Sequence, residues 1–275
     1  MSGILYLVAT PIGNLEDITY RAVRTLSEVD LIACEDTRHT RNLLDHYEIA
    51  RPLISYHEHN EAARAEELVA KLLDGTNVAL VSDAGMPLVS DPGYRLAAAA
   101  IRAGISVVPI PGPSAVITAL AAAGLATDAF YFSGFLPAKS GQRARTLETL
   151  RQQTATLVFY EAPHRILETL ADVERILGPR PVVVARELTK LHEEFLRGTP
   201  AEVRAALESR LSVKGEITLL IGKAAEAAPE TTSVDEAVDA YVHLGMSRMD
   251  AIKEVARKRG LSKRDVYRQT QIEKP

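Results

Sequence analysis

Tryptophan is absent from this chain of 275 residues, aromatic residues make up only 5%, and there is a single cysteine, Cys34. With so few rings, Ala, Leu and Val must build the core. One cysteine excludes a disulfide framework and agrees with a reducing compartment. Long apolar runs are also lacking. The longest, 115–126, includes Thr118 and Gly124 and is too short to span a bilayer as a helix. The first residues carry no charged segment followed by a signal-length apolar stretch, so a cytoplasmic, membrane-free location is expected. The patterns GxGxxG and GxxxxGK[ST] are missing too, which disfavours dinucleotide and triphosphate cradles.

What is present is a globular composition, 47% hydrophobic and 25% charged, long enough for two ordinary domains or one large domain with an appendage. The net charge of −4 hides an asymmetry, because residues 246–275 hold nine basic and four acidic side chains. A basic tail on an acidic body suggests a polyanionic partner.

Three Gly/Pro-rich turns each leave an apolar run: Thr10-Pro11-Ile12-Gly13-Asn14 after 5–9, Ser82-Asp83-Ala84-Gly85-Met86-Pro87 after 78–81, and Pro111-Gly112-Pro113-Ser114 after 106–110. Short buried strands ending in such turns are the pattern of a parallel α/β sheet. Ligands of open α/β sheets bind outside the carboxyl ends of the strands. Ordinary βα turns need Gly and Pro as well. Three together, free of long side chains, nevertheless point to a small molecule lying against the backbone. Pro11, Gly13, Asp83, Ala84, Gly85, Pro87, Gly112 and Ser114, with Ala115 next to them, are the residues these turns offer to such a ligand.

The rest of the chain repeats the β-then-α order. Strands are predicted near 4–9, 29–34, 53–56, 78–82 and 106–110, with helices near 19–27, 38–46, 60–74, 92–103 and 113–123. After Gly124 the pattern restarts, with strands near 129–134, 156–161, 181–186 and 216–222 and helices near 140–153, 164–177 and 200–210. This order argues for two α/β domains, 1–118 with a parallel sheet and 119–225, rather than segregated strands and helices. A basic segment with Lys139, Arg143 and Arg145 follows the turn at 135–141. The stretch 224–233 reads as a linker. Helices near 234–244, 248–258 and 263–271 then form a small helical unit, 234–275, with Ser262 as an N-cap.

Polar clusters follow several strands. Cys34-Glu35-Asp36-Thr37-Arg38-His39 offers adjacent acids and a cation; a bland alternative is a helix start capped by Asp36 or Thr37. Cys34 reads as a small core residue. In Tyr56-His57-Glu58-His59-Asn60-Glu61 the two histidines would share a face if the strand continued. That spacing can hold a metal, but no third ligand stands at a recognisable distance, and substrate contacts or proton transfer fit better. Phe159-Tyr160-Glu161-Ala162-Pro163-His164-Arg165 and Ala185-Arg186-Glu187-Leu188-Thr189-Lys190 are strand-to-helix junctions that could face the same cleft or form surface ion pairs. Arg257, Lys258, Arg259, Lys263, Arg264 and Arg268 are candidate phosphate contacts.

These segments carry a resemblance. The turns at 10–14, 82–87 and 111–114 resemble those of the tetrapyrrole methylase superfamily, whose members bind S-adenosylmethionine in a cleft between two α/β domains. Within it the chain is similar to the ribosomal RNA small subunit methyltransferase I family, through Val8-Ala9-Thr10-Pro11-Ile12-Gly13-Asn14-Leu15 and the clusters quoted above, almost continuously over 4–223. The wider superfamily has Gly-Asp-Pro where this chain has Asp83-Ala84-Gly85. The resemblance implies a homodimer that uses S-adenosylmethionine to methylate the ribose 2′-hydroxyl of a cytidine in small-subunit ribosomal RNA, naked or in the 30S particle. It also implies that Pro11, Asp83, Gly85, Pro87, Ser114 and Ala115 lie against the cofactor and that Tyr160, Glu161 and Ala162 approach it from the second domain. For the polar roles, Glu35, Asp36, Arg38, His57, His59 and Glu61 are expected, one of them taking the hydroxyl proton and Arg38 holding a flanking phosphate. Two alternatives remain open: the same transfer to a small tetrapyrrole, and a non-catalytic RNA-binding sensor of the metabolite.

Overall fold

The computed structural model describes residues 1–224, 232–243 and 245–270. The expected linker, Leu244 and the last charges, Glu273 and Lys274, therefore lie wholly or mostly outside the described residues. The chain divides into two compact units, 1–224 and 225–275.

The first unit starts with five parallel strands, β1 (Ile4–Val8), β2 (Leu31–Cys34), β3 (Leu53–Ser55), β4 (Val78–Val81) and β5 (Ser106–Ile110), in the order β3-β2-β4-β1-β5. Side chains alternate across this sheet as the pleat requires. Leu5, Val78 and Leu80 face α3 (Glu61–Leu73) and α4 (Tyr94–Arg102), through Leu68, Leu72 and Leu96. Val8, Ala79 and Val81 face α1 (Tyr20–Glu28) and α2 (Thr37–His46), through Leu26 and Leu44. Both faces are covered, which is why the strands read as continuous apolar runs.

The second sheet, β6 (Phe130–Phe135), β7 (Thr156–Glu161), β8 (Val182–Arg186), β9 (Glu194–Gly198) and β10 (Ile217–Ile221), has the order β6-β7-β10-β8-β9. Only β6 and β7 run parallel. β10 returns antiparallel between β7 and β8, and β9 folds back on β8. β9 escapes sequence reading because its charged Glu194 and Arg197 break the apolar run that marks a strand. Leu157, Phe159, Leu219 and Ile221 pack on α6 (Ser140–Thr149), α7 (Ile166–Leu177) and α8 (Pro200–Glu208). Val158, Val183 and Leu220 pack on α5 (Ala115–Ala123), through Val116, Ala119 and Leu120. The stretch around 118 thus lies in a helix whose buried face belongs to the second sheet.

Within the basic segment of Lys139, Arg143 and Arg145, Arg143 turns inward. It is 1% exposed, and its guanidinium donates to Asp172 (2.7 Å) and Glu168 (3.3 Å). Its neighbour Leu147 on the same helix face enters the core, so the i, i+4 geometry carries Arg143 inward as well.

The second unit contains α9 (Val234–His243), α10 (Arg248–Arg259) and α11 (Lys263–Gln269) around Val238, Ile252, Val255 and Val266. Ser247 and Ser262 cap α10 and α11 by accepting from the N–H groups of Asp250 and Asp265.

Candidate active site

The turns at the carboxyl ends of β1, β4 and β5 are tied together. Thr10 and Gly85 exchange backbone hydrogen bonds (2.9 and 3.1 Å), and the Thr10 and Ser82 hydroxyls donate to the carbonyls of Ser82 (3.0 Å) and Gly85 (3.1 Å) respectively. At Gly112 an added Cβ would stand 2.9 Å from the Ala9 Cβ, so the third turn closes on the first only because this residue has no side chain. Asp83 then accepts from the backbone N–H of Asp36 (3.2 Å), linking the ends of β4 and β2.

Beyond these turns lies a cavity of about 490 Å³, walled on one side by Ile12, Glu35, 83–86, 89–91, Ser114 and Ala115. The second sheet supplies Phe135, 160–163, Leu188 and 215–218 to the opposite wall. The start of β10 lies beside the end of β7 because Ile217 pairs with Glu161, so an antiparallel strand delivers its first residues to the same rim. Two wall residues are flanked by left-handed backbone. Val89 lies between Leu88 (φ 73°) and Ser90 (φ 66°), and Leu188 between Glu187 (φ 53°) and Thr189 (φ 65°). Such conformations cost on the order of 1 kcal/mol or more each and collect at functional sites.

The cavity is acidic. Burial lifts the Glu35 carboxyl above its ordinary value, reinforced by the negative charge of Asp83 and opposed by His57. Asp91 is lifted to about 6, first by burial, then by Glu35 and Asp83, against a hydrogen bond from Ser82. Burial, Asp91 and Glu216 likewise raise the Tyr160 phenol. Like charges close together in a poorly solvated place are held there by the rest of the fold, as in sites built for a cationic ligand.

Of the expected residues, Glu35, Asp83, Ala84, Gly85, Ser114, Ala115, Tyr160, Glu161 and Ala162 meet in this wall. Glu161 has its oxygens engaged. They accept from Arg165 (2.6 and 2.9 Å), the Thr169 hydroxyl (2.7 Å) and the Ala162 N–H (2.7 Å), which sets the turn after β7. Pro11 and Pro87 are buried under the turns, and neither they nor Gly112 line the cavity. Gly13 does different work from cofactor contact. An added Cβ would meet Lys190 Cγ at 2.6 Å and Thr189 Oγ1 at 2.8 Å, and the next N–H, of Asn14, donates to Thr189 (3.0 Å). It permits close approach between the first turn and the segment after β8.

The other polar candidates are engaged in local structure. Asp36 caps α2 by accepting from the Arg38 N–H (2.8 Å) and pairs with the Arg38 guanidinium (3.1 Å), which holds its carboxyl at about 2. Glu61 accepts from the N–H groups of Gly93 (3.2 Å) and Arg95 (3.4 Å) and from the Tyr56 hydroxyl (3.2 Å), so it caps α4. β3 ends at Ser55 because Asn60 accepts from the His57 N–H (2.9 Å) and donates to the Ser55 carbonyl (3.2 Å). His57 and His59 therefore sit on a turn, ring centroids 6.0 Å apart, rather than on one face of a strand. Asp91 and 215–218 escape sequence reading as site residues, although Ser90-Asp91-Pro92-Gly93 is a fourth turn of the same composition; Leu188 lies in the 185–190 segment that could face the cleft, and it lines the cavity.

A family model described as Tetrapyrrole (Corrin/Porphyrin) Methylases matches residues 4–204. Curated relatives include "Ribosomal RNA small subunit methyltransferase I" of Halalkalibacterium halodurans, 52% identical, covering 96% of this chain and 93% of the relative. The protein of the same name from Synechocystis sp. is 50% identical and covers 96% of each. A crystal structure of uroporphyrin-III C-methyl transferase from Thermus thermophilus, complexed with S-adenyl homocysteine, aligns with a TM-score of 0.56 and 21% identity over 80% of this chain and 97% of that one, a likeness of fold.

Proposed function

The chain belongs to the tetrapyrrole (corrin/porphyrin) methylase family, in its ribosomal RNA small subunit methyltransferase I group, and we propose that it methylates the ribose 2′-hydroxyl of a cytidine in small-subunit (16S) ribosomal RNA with S-adenosylmethionine. The observation that carries this reading is a cavity that combines the carboxylates of Glu35, Asp83 and Asp91 with the start of α5, whose N-cap Ser114 makes no side-chain cap. S-adenosylmethionine has a sulfonium and an ammonium for the carboxylates and a carboxylate for the free N–H groups of a helix start. Ile12, Leu188 and Ile217 offer apolar walls to its adenine. The residues present fit the group.

When bound, S-adenosylmethionine supplies an electrophilic methyl group. Asp83 and Asp91 would hold its cationic part, Ser114 and Ala115 its carboxylate, and Tyr160, Ala162 and Leu188 would keep water out. Glu35 accepts the proton that the ribose hydroxyl loses; burial and Asp83 raise its basicity, which suits it to that role. Alignment of the two reactants supplies much of the acceleration. Residues 1–118 and 119–225 form the two halves around the cofactor, and the active species is a cytoplasmic homodimer with no membrane partner. The unit at 234–275 docks RNA. Lys263, Arg264 and Arg268 are exposed on α11 and enter no ion pair among the described residues, whereas Arg248, Lys253 and Arg257 are paired with acids. Free cations of this kind favour a phosphate backbone over a tetrapyrrole.

Incubation of the protein with methyl-labelled S-adenosylmethionine and purified small ribosomal subunits tests the reading. Label in an alkali-resistant dinucleotide is the expected result. Label transferred only to an added tetrapyrrole, or tight cofactor binding with no transfer, would overturn it.

A further inference from the structure

β6 is an edge strand with the sequence Phe130-Tyr131-Phe132-Ser133-Gly134-Phe135. Phe132 and Phe135 differ by three residues and would face opposite sides of a regular strand. A register shift between them, with Gly134 in left-handed backbone (φ 61°), adds the residue that turns Phe135 to the side of Phe132. Both rings then reach Tyr160, Phe132 at 5.0 Å between centroids and Phe135 at 5.6 Å. The ladder runs from the core outward. Phe132 packs in the α5 cluster, Tyr160 is half-buried in the cavity wall, and Phe135 is 58% exposed while lining the same cavity.

The bulge thus carries an apolar ring to the rim of the acidic cavity and leaves much of its π face in water beyond the contact with Tyr160. The chain beyond it is cationic and open. Lys139 at the start of α6 and Arg145 within it are exposed and form no ion pair among the described residues. An aromatic face followed by cations is the pattern with which proteins hold unpaired nucleotides, the ring taking the base and the cations the phosphates.

We propose that Phe135 is the platform on which the base of the target nucleotide stacks, presenting an unpaired ribonucleotide to the cavity with Lys139 near its flanking phosphate. This rests on RNA being the substrate. Phe135 is a positioning residue, and loss of its π face weakens RNA binding without touching the cofactor.

Because the natural chain has no tryptophan, Phe135→Trp places a lone reporter at this position. Its fluorescence should be quenched by small-subunit ribosomal RNA and not by S-adenosylhomocysteine alone. Phe135→Leu should raise KM for that RNA by about 5- to 150-fold, the effect of one missing stacking partner, while calorimetric affinity for S-adenosylhomocysteine stays within about twofold; Phe135→Trp should retain near-native KM. Unquenched tryptophan with an unchanged KM in Phe135→Leu overturns the platform. So does a parallel loss of cofactor affinity, or a change of oligomeric state as the only effect. If RNA quenches the tryptophan but the natural protein transfers no methyl to RNA, the platform stands and the proposed reaction falls.

Discussion

Replacing Asp91 by Asn should stabilise the protein without cofactor and weaken its hold on the cofactor. In the fold the Asp91 carboxyl is lifted from the ordinary 3.8 to about 6. In the unfolded chain it ionises near 4. Below that pH both states are protonated and the residue costs nothing. As pH rises through 4 to 6 the unfolded state gives up its proton first, so stability is lost progressively, and above about 6 the loss is complete and constant. Two units correspond to roughly 3 kcal/mol; Asp91 is only half-buried, and solvent screening reduces this to roughly 1–2 kcal/mol. Asn keeps the size and shape of the side chain and lacks the charge. The variant should therefore unfold about 2–8 °C higher than the natural protein at pH 8, with the difference shrinking towards zero at pH 4. Scanning calorimetry across that range measures it. The same substitution should reduce affinity for S-adenosylmethionine at pH 8, because a carboxylate facing a cation is gone. Equal melting temperatures at pH 8, or a difference that grows on acidification, would refute the electrostatic account.

The remaining expectations concern other parts of the molecule. Methyl transfer should decline as pH falls through about 6, where Asp91 takes up its proton, and decline further once Glu35, lifted above the ordinary carboxylate value by burial, does the same; a pH–rate profile with no acid limb would count against both roles. Arg143→Ala should cost about 1–3 kcal/mol in urea unfolding, since Asp172, which keeps only Arg175, loses its buried partner, whereas Arg143→Met should cost less. Glu61→Ala should cost about 1–2 kcal/mol through the cap of α4 and leave kcat within about twofold of the natural protein; a large fall in kcat without destabilisation would return Glu61 to the chemistry. Charge reversal at Lys263 and Arg264 should weaken RNA binding and lower its salt slope by about 1 for each phosphate no longer neutralised, with cofactor affinity unchanged.

What the chain makes legible is whatever depends on neighbours in sequence. The parallel strands are legible because both faces are buried and each run is continuously apolar, and the turns because their conformations demand Gly and Pro within a few residues. The lining of the cavity is legible where a turn delivers its own residues to it, as at 83–86 and 160–162. Reading fails where a side chain answers to something distant. Glu61 stands in a cluster that looks catalytic, yet its partners are the N–H groups of Gly93 and Arg95 on the next helix. Gly13 looks like a cofactor glycine, yet the atoms that forbid its Cβ belong to Thr189 and Lys190.

Asp91 is the instructive omission. Its turn has the composition that marks the other three, but no apolar strand precedes it, so nothing in the local pattern singles it out. A strand's end is one way to reach the cavity; the fold brings Asp91 to Glu35 and Asp83 by another, through a loop strained at Leu88 and Ser90. A loop held in left-handed backbone in order to place a carboxylate beside two others works against stability twice. Such an arrangement persists where a ligand of opposite charge offsets it on binding. The apo protein should accordingly be loosest at 83–91, and S-adenosylhomocysteine should slow amide exchange there more than in the buried strands of either sheet. Uniform protection across the first unit would mean that this loop is not where the cofactor's binding energy is used.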